Sequence, residues 1–142
     1  MIRVFGGKPH SSISEKQAVE NIKTNMRIAC DYAGDKGIIL GMENHDFLID
    51  IDRMLPIIAA IDSPWFGVCF DSGNIAPTNN PYKELARIAP YSVNAQIKVE
   101  IPVNEKKEYT DFARIINILH DANYRGYVTL EYESFEDPYK AI

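Results

Sequence analysis

The sequence predicts an α/β fold in which about five parallel strands alternate with about four helices. Short apolar runs rich in Val, Ile, Phe and Tyr, bounded by Gly, Pro, Asn and Ser, recur along the chain as strands do. Amphipathic helical patterns fill the stretches between these runs, which is typical of a parallel sheet with helices packed outside. Because no linker or low-complexity segment interrupts the pattern, residues 1–142 are expected to form one domain.

The predicted strands are short and end in polar residues. They lie at residues 2–5, 37–43, 66–71, 93–99 and 127–133, with the sequences IRVF, GIILGME, FGVCFD, VNAQIKV and YVTLEYE. Such runs of β-branched and aromatic residues between turn formers favour strands over helices.

The predicted helices begin at recognisable caps. The first has Ser14 as its N-cap, with Gln17 completing a capping box, and ends at Gly34 or Gly37. The second spans about residues 52–61 and the third about 81–88. The fourth is expected to start at Thr110 as its cap and to end before the sequence NYRG. Its inward residues are predicted to be Phe112, Ile115, Ile116, Leu119 and Ala122.

The spacing of the strands limits the architecture. Strand starts lie about 30 residues apart, the size of one β/α unit, and eight such units make a barrel of about 250 residues. Only about four and a half units are present, so the chain is either a small open sheet or part of a barrel. A partial barrel has two bare strand edges, and it would pair with another chain or be a truncated product.

Alternation along the strands assigns side chains to faces. The last four strands each have an apolar face suited to helices, including Val93, Val128 and Leu130, and a second face that becomes acidic towards the C-terminal end. Ligands of parallel α/β folds bind at these ends, where the side chains of four residues would converge: Glu43, Asp71, Gln96 and Glu131. Any one of them alone would be interpreted as a solvated strand end.

Three carboxylates held close together repel one another and are costly to keep ionised. A divalent cation relieves that repulsion. Oxygen ligands without thiolates or several imidazoles suit Mn²⁺ or Mg²⁺ better than Zn²⁺.

Composition argues against several classes of partner. The net charge is -5 and no Lys/Arg cluster is present, which disfavours nucleic acid. No apolar run has the length of a membrane span, and the N-terminus lacks the regions of a signal peptide. Cys30 and Cys69 are expected to be reduced thiols in a cytoplasmic protein, although a disulfide between them stays open at this point.

Five segments together resemble a known family. RVFGG, GMENH, VCFDSGN, APYSVNAQIKVE and GYVTLEYES are similar to successive strand ends of the sugar phosphate isomerase/epimerase family, the xylose-isomerase-like TIM barrels. Inosose dehydratases, ketose 3-epimerases and a DNA-repair endonuclease branch also belong to this group. The resemblance covers essentially the whole chain but only the second half of a family barrel. It implies a partial TIM barrel that lacks the N-terminal strands.

The resemblance also implies a metal site. The family holds one divalent metal with Glu, Asp, His and Glu at four strand ends, which correspond here to Glu43, Asp71, Gln96 and Glu131. Gln96 departs from the family's His, but an amide oxygen can still bind a hard cation. Mn²⁺ or Mg²⁺ is expected, with Zn²⁺ or Co²⁺ less favoured. Asn74 stands where epimerases often have a His near the metal, so a substrate-binding role for it is a weaker expectation.

Other residues are candidates for substrate contact. Lys98 could hold substrate oxygens, or equally form a salt bridge to Glu100 or Glu133. His45 is predicted to lie on the same strand face as Glu43, where it could contact a sugar hydroxyl or hydrogen-bond to a neighbouring group. His10, in the loop after the first strand, is a weaker candidate of the same kind.

The expected reaction is isomerisation or epimerisation of a small carbohydrate through a metal-stabilised enediolate. The resemblance gives Glu43 and Glu131 the catalytic roles of taking and returning the proton beside the carbonyl. An inosose-type dehydratase is the enzymatic alternative. The other is a catalytically incomplete half-barrel that only binds metal or self-associates, with a homo-oligomer completing the open barrel. The DNA-repair branch would need a basic surface and extra His ligands, and neither is visible.

Overall fold

The computed structural model describes residues 1–141 as a partial (β/α) barrel, which confirms the predicted fold class. The elements in chain order are β1 (Ile2–Val4), α1 (Glu15–Gly34), β2 (Leu40–Glu43), α2 (Ile51–Ile61), β3 (Phe66–Asp71), α3 (Pro81–Ile88), β4 (Ser92–Lys98), β5 (Glu100–Val103), β6 (Lys106–Tyr109), α4 (Phe112–Asp121), β7 (Val128–Glu131) and α5 (Pro138–Ala141). Two short 3₁₀ helices, Asp46–Leu48 and Ala89–Tyr91, precede α2 and β4.

Five strands form one parallel sheet in the order β1-β2-β3-β4-β7. Sequential strands therefore lie side by side, as they do around a barrel. The helices α1 to α4 pack on the outer face of the sheet, and the core between sheet and helices includes Met42, Met54, Phe70, Leu85 and Ile115. The carboxyl ends of the strands all point to one edge, which positions the candidate site.

Of the two helix caps that the sequence predicted, at Ser14 and Thr110, one is confirmed. The Ser14 hydroxyl accepts from the backbone N–H of Gln17 at 3.2 Å, as predicted for α1. The expected cap at Thr110 is wrong, because Asp111 caps α4 by accepting from the N–H of Arg114. The Thr110 hydroxyl instead donates to the carbonyl of Lys98 at 2.7 Å. Thr110 therefore ties the chain entering α4 to the end of β4.

Two of the residues predicted to face inward on α4 point outward. Ile115 and Leu119 are buried, whereas Phe112 and Ile116 are exposed. One narrow stripe of the helix is thus sufficient for its contact with the rest of the structure. The apolar stripe predicted from the sequence is therefore broader than the face of α4 that is buried.

An irregularity in β4 changes one face assignment. The register between β3 and β4 shifts between Val68, which lies opposite Ser92, and Cys69, which lies opposite Asn94. A bulge of this kind turns the extra residue to the other side of the sheet. Val93 therefore lies over Gly67 on the concave face, and the prediction that it faces the helices is wrong.

A two-stranded antiparallel hairpin, β5–β6, follows β4 and was missed in the sequence. Its turn is at Asn104, whose φ of 54° lies in the left-handed region that Asn tolerates. The turn residues Asn104–Glu105 were the signal in the sequence that could have indicated this hairpin. The hairpin occupies the loop between β4 and α4, on the same side as the strand ends.

Both outer strands of the sheet have exposed apolar side chains. Ile2 on β1 is 51% exposed, and Leu130 on β7 is 43% exposed. The expected helix-covered face of β7, with Val128 and Leu130, is therefore open within the described residues. Cys30 and Cys69 are free, buried thiols. Among residues 1–141, no helix combines the length and hydropathy required to cross a bilayer.

Candidate functional site

Four adjacent strands bring the predicted site residues to one edge of the sheet. We call these residues the strand-end cluster: Glu43 at the end of β2, Asp71 at the end of β3, Gln96 on β4 and Glu131 at the end of β7. Asp71 lies directly opposite Gln96, and Glu131 lies opposite Lys98. Glu43 and Asp71 are buried, although both are ionisable. The four lie on one face of the strands, as alternation predicts, because strand side chains repeat every second residue. Their role as metal ligands stays a prediction.

Asn44 fixes the spacing between the ends of β2 and β3. Its side chain is fully buried, and its amide N–H donates to the carbonyls of Asp71 at 2.8 Å and Asn74 at 2.6 Å. Its amide oxygen accepts from the N–H of Asp71 at 2.9 Å. Asn44 therefore performs a structural role.

Asn74 joins two members of the strand-end cluster. Its side-chain N–H₂ donates to Oε1 of Glu43 at 3.0 Å and to Oδ2 of Asp71 at 2.9 Å. A single amide thus holds two carboxylates at a short separation. In this arrangement Asn74 positions the carboxylates, and the prediction that it contacts substrate stays untested.

Arg3 is a site residue that the sequence analysis missed. Its Nη1 lies 3.0 Å from Oε2 of Glu43 and donates to the amide oxygen of Gln96 at 3.4 Å. The guanidinium also lies 5.0 Å from the centre of the Phe5 ring. The signal was present, since Arg3 is a charged residue between Ile2 and Val4.

Lys98 is the second cation of the site. Its ammonium lies 2.8 Å from Glu133, 3.5 Å from Asp71 and 3.9 Å from Glu131. Burial opposes its charge, but the hydrogen bond to Glu133 and the charges of Asp71 and Glu131 raise its pKa. The same hydrogen bond lowers the pKa of Glu133. The salt-bridge alternative is therefore realised with Glu133.

Gly73 makes room for the Lys98 side chain. A Cβ atom at position 73 would lie 2.5 Å from Cδ of Lys98, closer than real contacts allow. The Gly73 N–H also donates to Oδ1 of Asp71 at 2.8 Å. The glycine of the DSGN segment thus allows the lysine stem to cross the loop beside the aspartate.

Burial sets the protonation of the carboxylates. Desolvation raises the pKa of Asp71 to about 7, against the opposing effects of Lys98 and the Gly73 N–H. Desolvation also raises the pKa of Glu43, against the opposing charge of Arg3. Both groups therefore hold protons more tightly than exposed carboxyls do.

The predicted histidines differ in their positions. His45 follows Glu43 and lies against Phe5, with ring centres 5.1 Å apart and its Nδ1 3.3 Å from Asp46. It therefore lies at the rim of the strand-end cluster. His10 is exposed and its Nδ1 lies 2.8 Å from the Ser12 hydroxyl. None of its described hydrogen bonds reaches the cluster.

The space beside Gly41 is filled. A Cβ at Gly41 would meet Sδ of Met1 at 2.7 Å and Val93 at 3.3 Å, so this glycine leaves no open room next to the site. Gly41 thus allows packing below the strand-end cluster.

The donor set fits a hard divalent cation in chemistry. The strand-end cluster offers carboxylate and amide oxygens, which Mg²⁺ and Mn²⁺ prefer. Oε2 of Glu43 and Oε2 of Glu131 are buried and lack a hydrogen-bond partner within the described residues. Arg3 lies near the first of these atoms, but the angle does not make a hydrogen bond. Across residues 1–141, no three His, Cys, Asp or Glu side chains are already arranged around one metal position.

The chain belongs to the xylose isomerase-like TIM barrel family, whose model matches residues 1–142. A Haemophilus influenzae protein with the provisional name L-ribulose-5-phosphate 3-epimerase SgbU is 29% identical over 143 residues. That match covers 87% of this chain and 50% of the relative. The chain therefore spans about half the length of this relative.

Two solved structures share the fold. The apo form of 3-keto-D-glucoside 4-epimerase YcjR from E. coli has a TM-score of 0.70 and 19% identity, covering 93% of this chain and 53% of that one. A xylose isomerase-like TIM barrel protein from Mycobacterium smegmatis in complex with magnesium has a TM-score of 0.62 and 20% identity. This second match covers 88% of this chain and 45% of the Mycobacterium smegmatis chain.

Proposed function

We propose that this chain carries the metal-binding and proton-transfer residues of a sugar isomerase or epimerase. The observation that supports the proposal most is the strand-end cluster, which combines three carboxylates and an amide on four consecutive parallel strands. Family membership and the epimerase names of two similar proteins point in the same direction.

The proposed ligands are Glu43, Asp71, Gln96 and Glu131. A bound Mg²⁺ or Mn²⁺ would supply a Lewis acid for a substrate carbonyl and its adjacent hydroxyl. Glu43 is suited to hold or accept a proton, because burial raises its pKa above that of an exposed carboxyl. Glu131 is at the opposite end of the cluster and is partly exposed, so it is the proposed partner that returns the proton.

The cations of the site suit a substrate that becomes more negative as it reacts. Removal of a proton beside a carbonyl places charge on the carbonyl oxygen. The ammonium of Lys98 is held among carboxylates by Glu133, so it is already oriented before a substrate arrives. We assign Lys98 the stabilisation of that charge, and His45 at the rim a contact with a substrate hydroxyl.

The substrate class follows from this chemistry. Epimerisation by proton transfer requires a carbonyl next to a carbon that bears hydrogen. L-Ribulose 5-phosphate and a 3-keto-glucoside, named for the two epimerases above, both have this feature. A ketose or keto-sugar is therefore the proposed substrate.

The test is exchange of carbon-bound hydrogen in deuterated water. The protein is incubated with Mn²⁺ and a panel of ketoses, ketose phosphates and keto-glucosides, and deuterium at the carbon beside the carbonyl is measured by NMR. We expect incorporation with at least one substrate, and a loss of at least about a hundredfold in Glu43→Gln and Glu131→Gln. Glu136→Gln, an exposed carboxylate outside the cluster, is the matched control.

The alternatives give different outcomes. A dehydratase would release water and produce an absorbing enone, which would replace the isomerase proposal. A half-barrel that binds Mn²⁺ without exchange for any substrate would support the incomplete-site alternative. Undiminished Mn²⁺ binding in both Gln variants would contradict the ligand assignment.

A further inference from the structure

Arg3 occupies the face of Glu43 that a metal ion would use. Oε1 of Glu43 already accepts from Asn74, and its other oxygen, Oε2, faces the guanidinium of Arg3 at 3.0 Å. The same guanidinium donates to the amide oxygen of Gln96. Two of the four proposed ligands are thus paired with one positive side chain.

A divalent cation and Arg3 would repel each other at the same oxygen. A bound Mg²⁺ or Mn²⁺ lies about 2.0–2.5 Å from a carboxylate oxygen. A guanidinium 3.0 Å from that oxygen would then be only a few ångströms from two positive charges in a poorly solvated site. Either the metal stays out or the guanidinium moves.

Exposure indicates which of the two site cations can move. The side chain of Arg3 is 41% exposed, whereas that of Lys98 is 11% exposed and is held by Glu133 at 2.8 Å. Arg3 therefore has access to solvent beside the half-exposed Phe5 ring. Lys98 would lose three carboxylate partners if it moved, of which Asp71 is fully buried.

We propose that Arg3 is an internal counter-ion that holds Glu43 and Gln96 in the metal-free site and leaves Glu43 when a divalent cation binds. This inference rests on the proposed function, because it uses the same metal ligands. Arg3 is a positioning residue in this role. It sets the affinity for the metal by competing with it, and it keeps buried Glu43 compensated while the metal is absent.

The test compares Mn²⁺ affinity by calorimetry in wild type, Arg3→Met, Arg3→Lys and Arg125→Met. Arg3→Met removes the competing charge, so we expect its Kd for Mn²⁺ to fall by about tenfold or more. Arg3→Lys keeps the charge and should stay close to wild type. Arg125→Met removes the same charge from an exposed position outside the site and should leave the Kd unchanged.

A second measurement reports the movement of Arg3 directly. In a titration with diamagnetic Mg²⁺, the guanidinium Nε–H resonance of Arg3 should shift in step with metal occupancy, while that of Arg125 stays constant. Arg3→Gln provides a second neutral variant with a polar side chain. If Arg3→Met fails to fold, two measurements still test the inference. They are the Kd of Arg3→Gln for Mn²⁺ and the shift of the Arg3 resonance in the wild type.

Failures of the two proposals are distinguishable. Mn²⁺ binding that is unaffected by Glu43→Gln and Glu131→Gln, or absent from all variants, overturns the metal site and this inference with it. Binding that depends on both glutamates but is equal or weaker in Arg3→Met, with no shift of the Arg3 resonance, overturns the role of Arg3 alone.

Discussion

At the scale of single residues, small amides organise the charged groups of this protein. Asn44 joins the backbones at the ends of β2 and β3, and Asn74 joins the carboxylates of Glu43 and Asp71. These bonds compensate part of the cost of burying ionisable groups. The remaining cost is visible in the raised pKa of Asp71, which is about 7.

The raised pKa of Asp71 predicts a pH dependence of stability in the metal-free protein. The pKa of an unfolded Asp is about 3.9, so between about pH 4 and pH 7 the folded state binds more protons than the unfolded state. The free energy of unfolding should therefore fall as the pH rises through this window, by at most about 1.4 kcal/mol per pH unit from this group. Urea denaturation at several pH values in a chelator measures it.

Asp71→Asn is the matched variant for that measurement. It keeps an oxygen for the Gly73 N–H but has no proton to lose, so its stability should change less steeply with pH over the same window. Curves of equal slope for the two proteins would show that Asp71 does not titrate as its burial implies.

At the scale of elements, α4 shows that adjacent residues of one helix can differ completely in burial. Adjacent residues Ile115 and Ile116 are chemically identical, but Ile115 is fully buried and Ile116 is 46% exposed. Since the helix turns by about 100° per residue, neighbours in sequence point to different surroundings. The tether of Thr110 to the Lys98 carbonyl and the cap at Asp111 set the start of the helix.

This difference predicts unequal effects of the same substitution. Ile115→Ala should lower the free energy of unfolding by about 2–4 kcal/mol, because it removes a buried side chain and leaves a cavity. Ile116→Ala should change it by less than about 0.5 kcal/mol. Chemical denaturation of the two variants is the measurement. Equal losses would mean that both isoleucines are buried in solution.

At the scale of the whole molecule, the sheet is open at both sides. Within the described residues β1 pairs only with β2 and β7 pairs only with β4, so each has a second edge without a strand partner. Apolar side chains at both edges, including Ile2 and Leu130, are exposed. Bare parallel edges with apolar side chains favour association with another chain.

We therefore expect the isolated chain to self-associate as its concentration rises. Leu130→Lys places a charge at the open edge and should lower the sedimentation coefficient at high concentration. Ile28→Lys, at an exposed apolar position on α1, is the control and should behave like wild type. A wild type that sediments as a monomer across the whole concentration range would contradict the expectation.

The sequence by itself determined the order of the five parallel strands and the four main helices, and which face of the strands carries Glu43, Asp71, Gln96 and Glu131. Alternation within a strand is a local property, and parallel strands bring their carboxyl ends to one edge. Those two facts are sufficient to bring four residues, separated widely along the chain, to the same place.

Only the tertiary structure decided which cation faces which carboxylate, and which apolar residues are covered. Contacts between distant segments decide three features of the site. They set the bulge that turns Val93 inward, the ion pair of Arg3 with Glu43 and the ion pair of Lys98 with Glu133. Periodicity carries no information about such contacts, because it describes one element at a time. The electrostatic balance of the site is a property of the assembled strand ends.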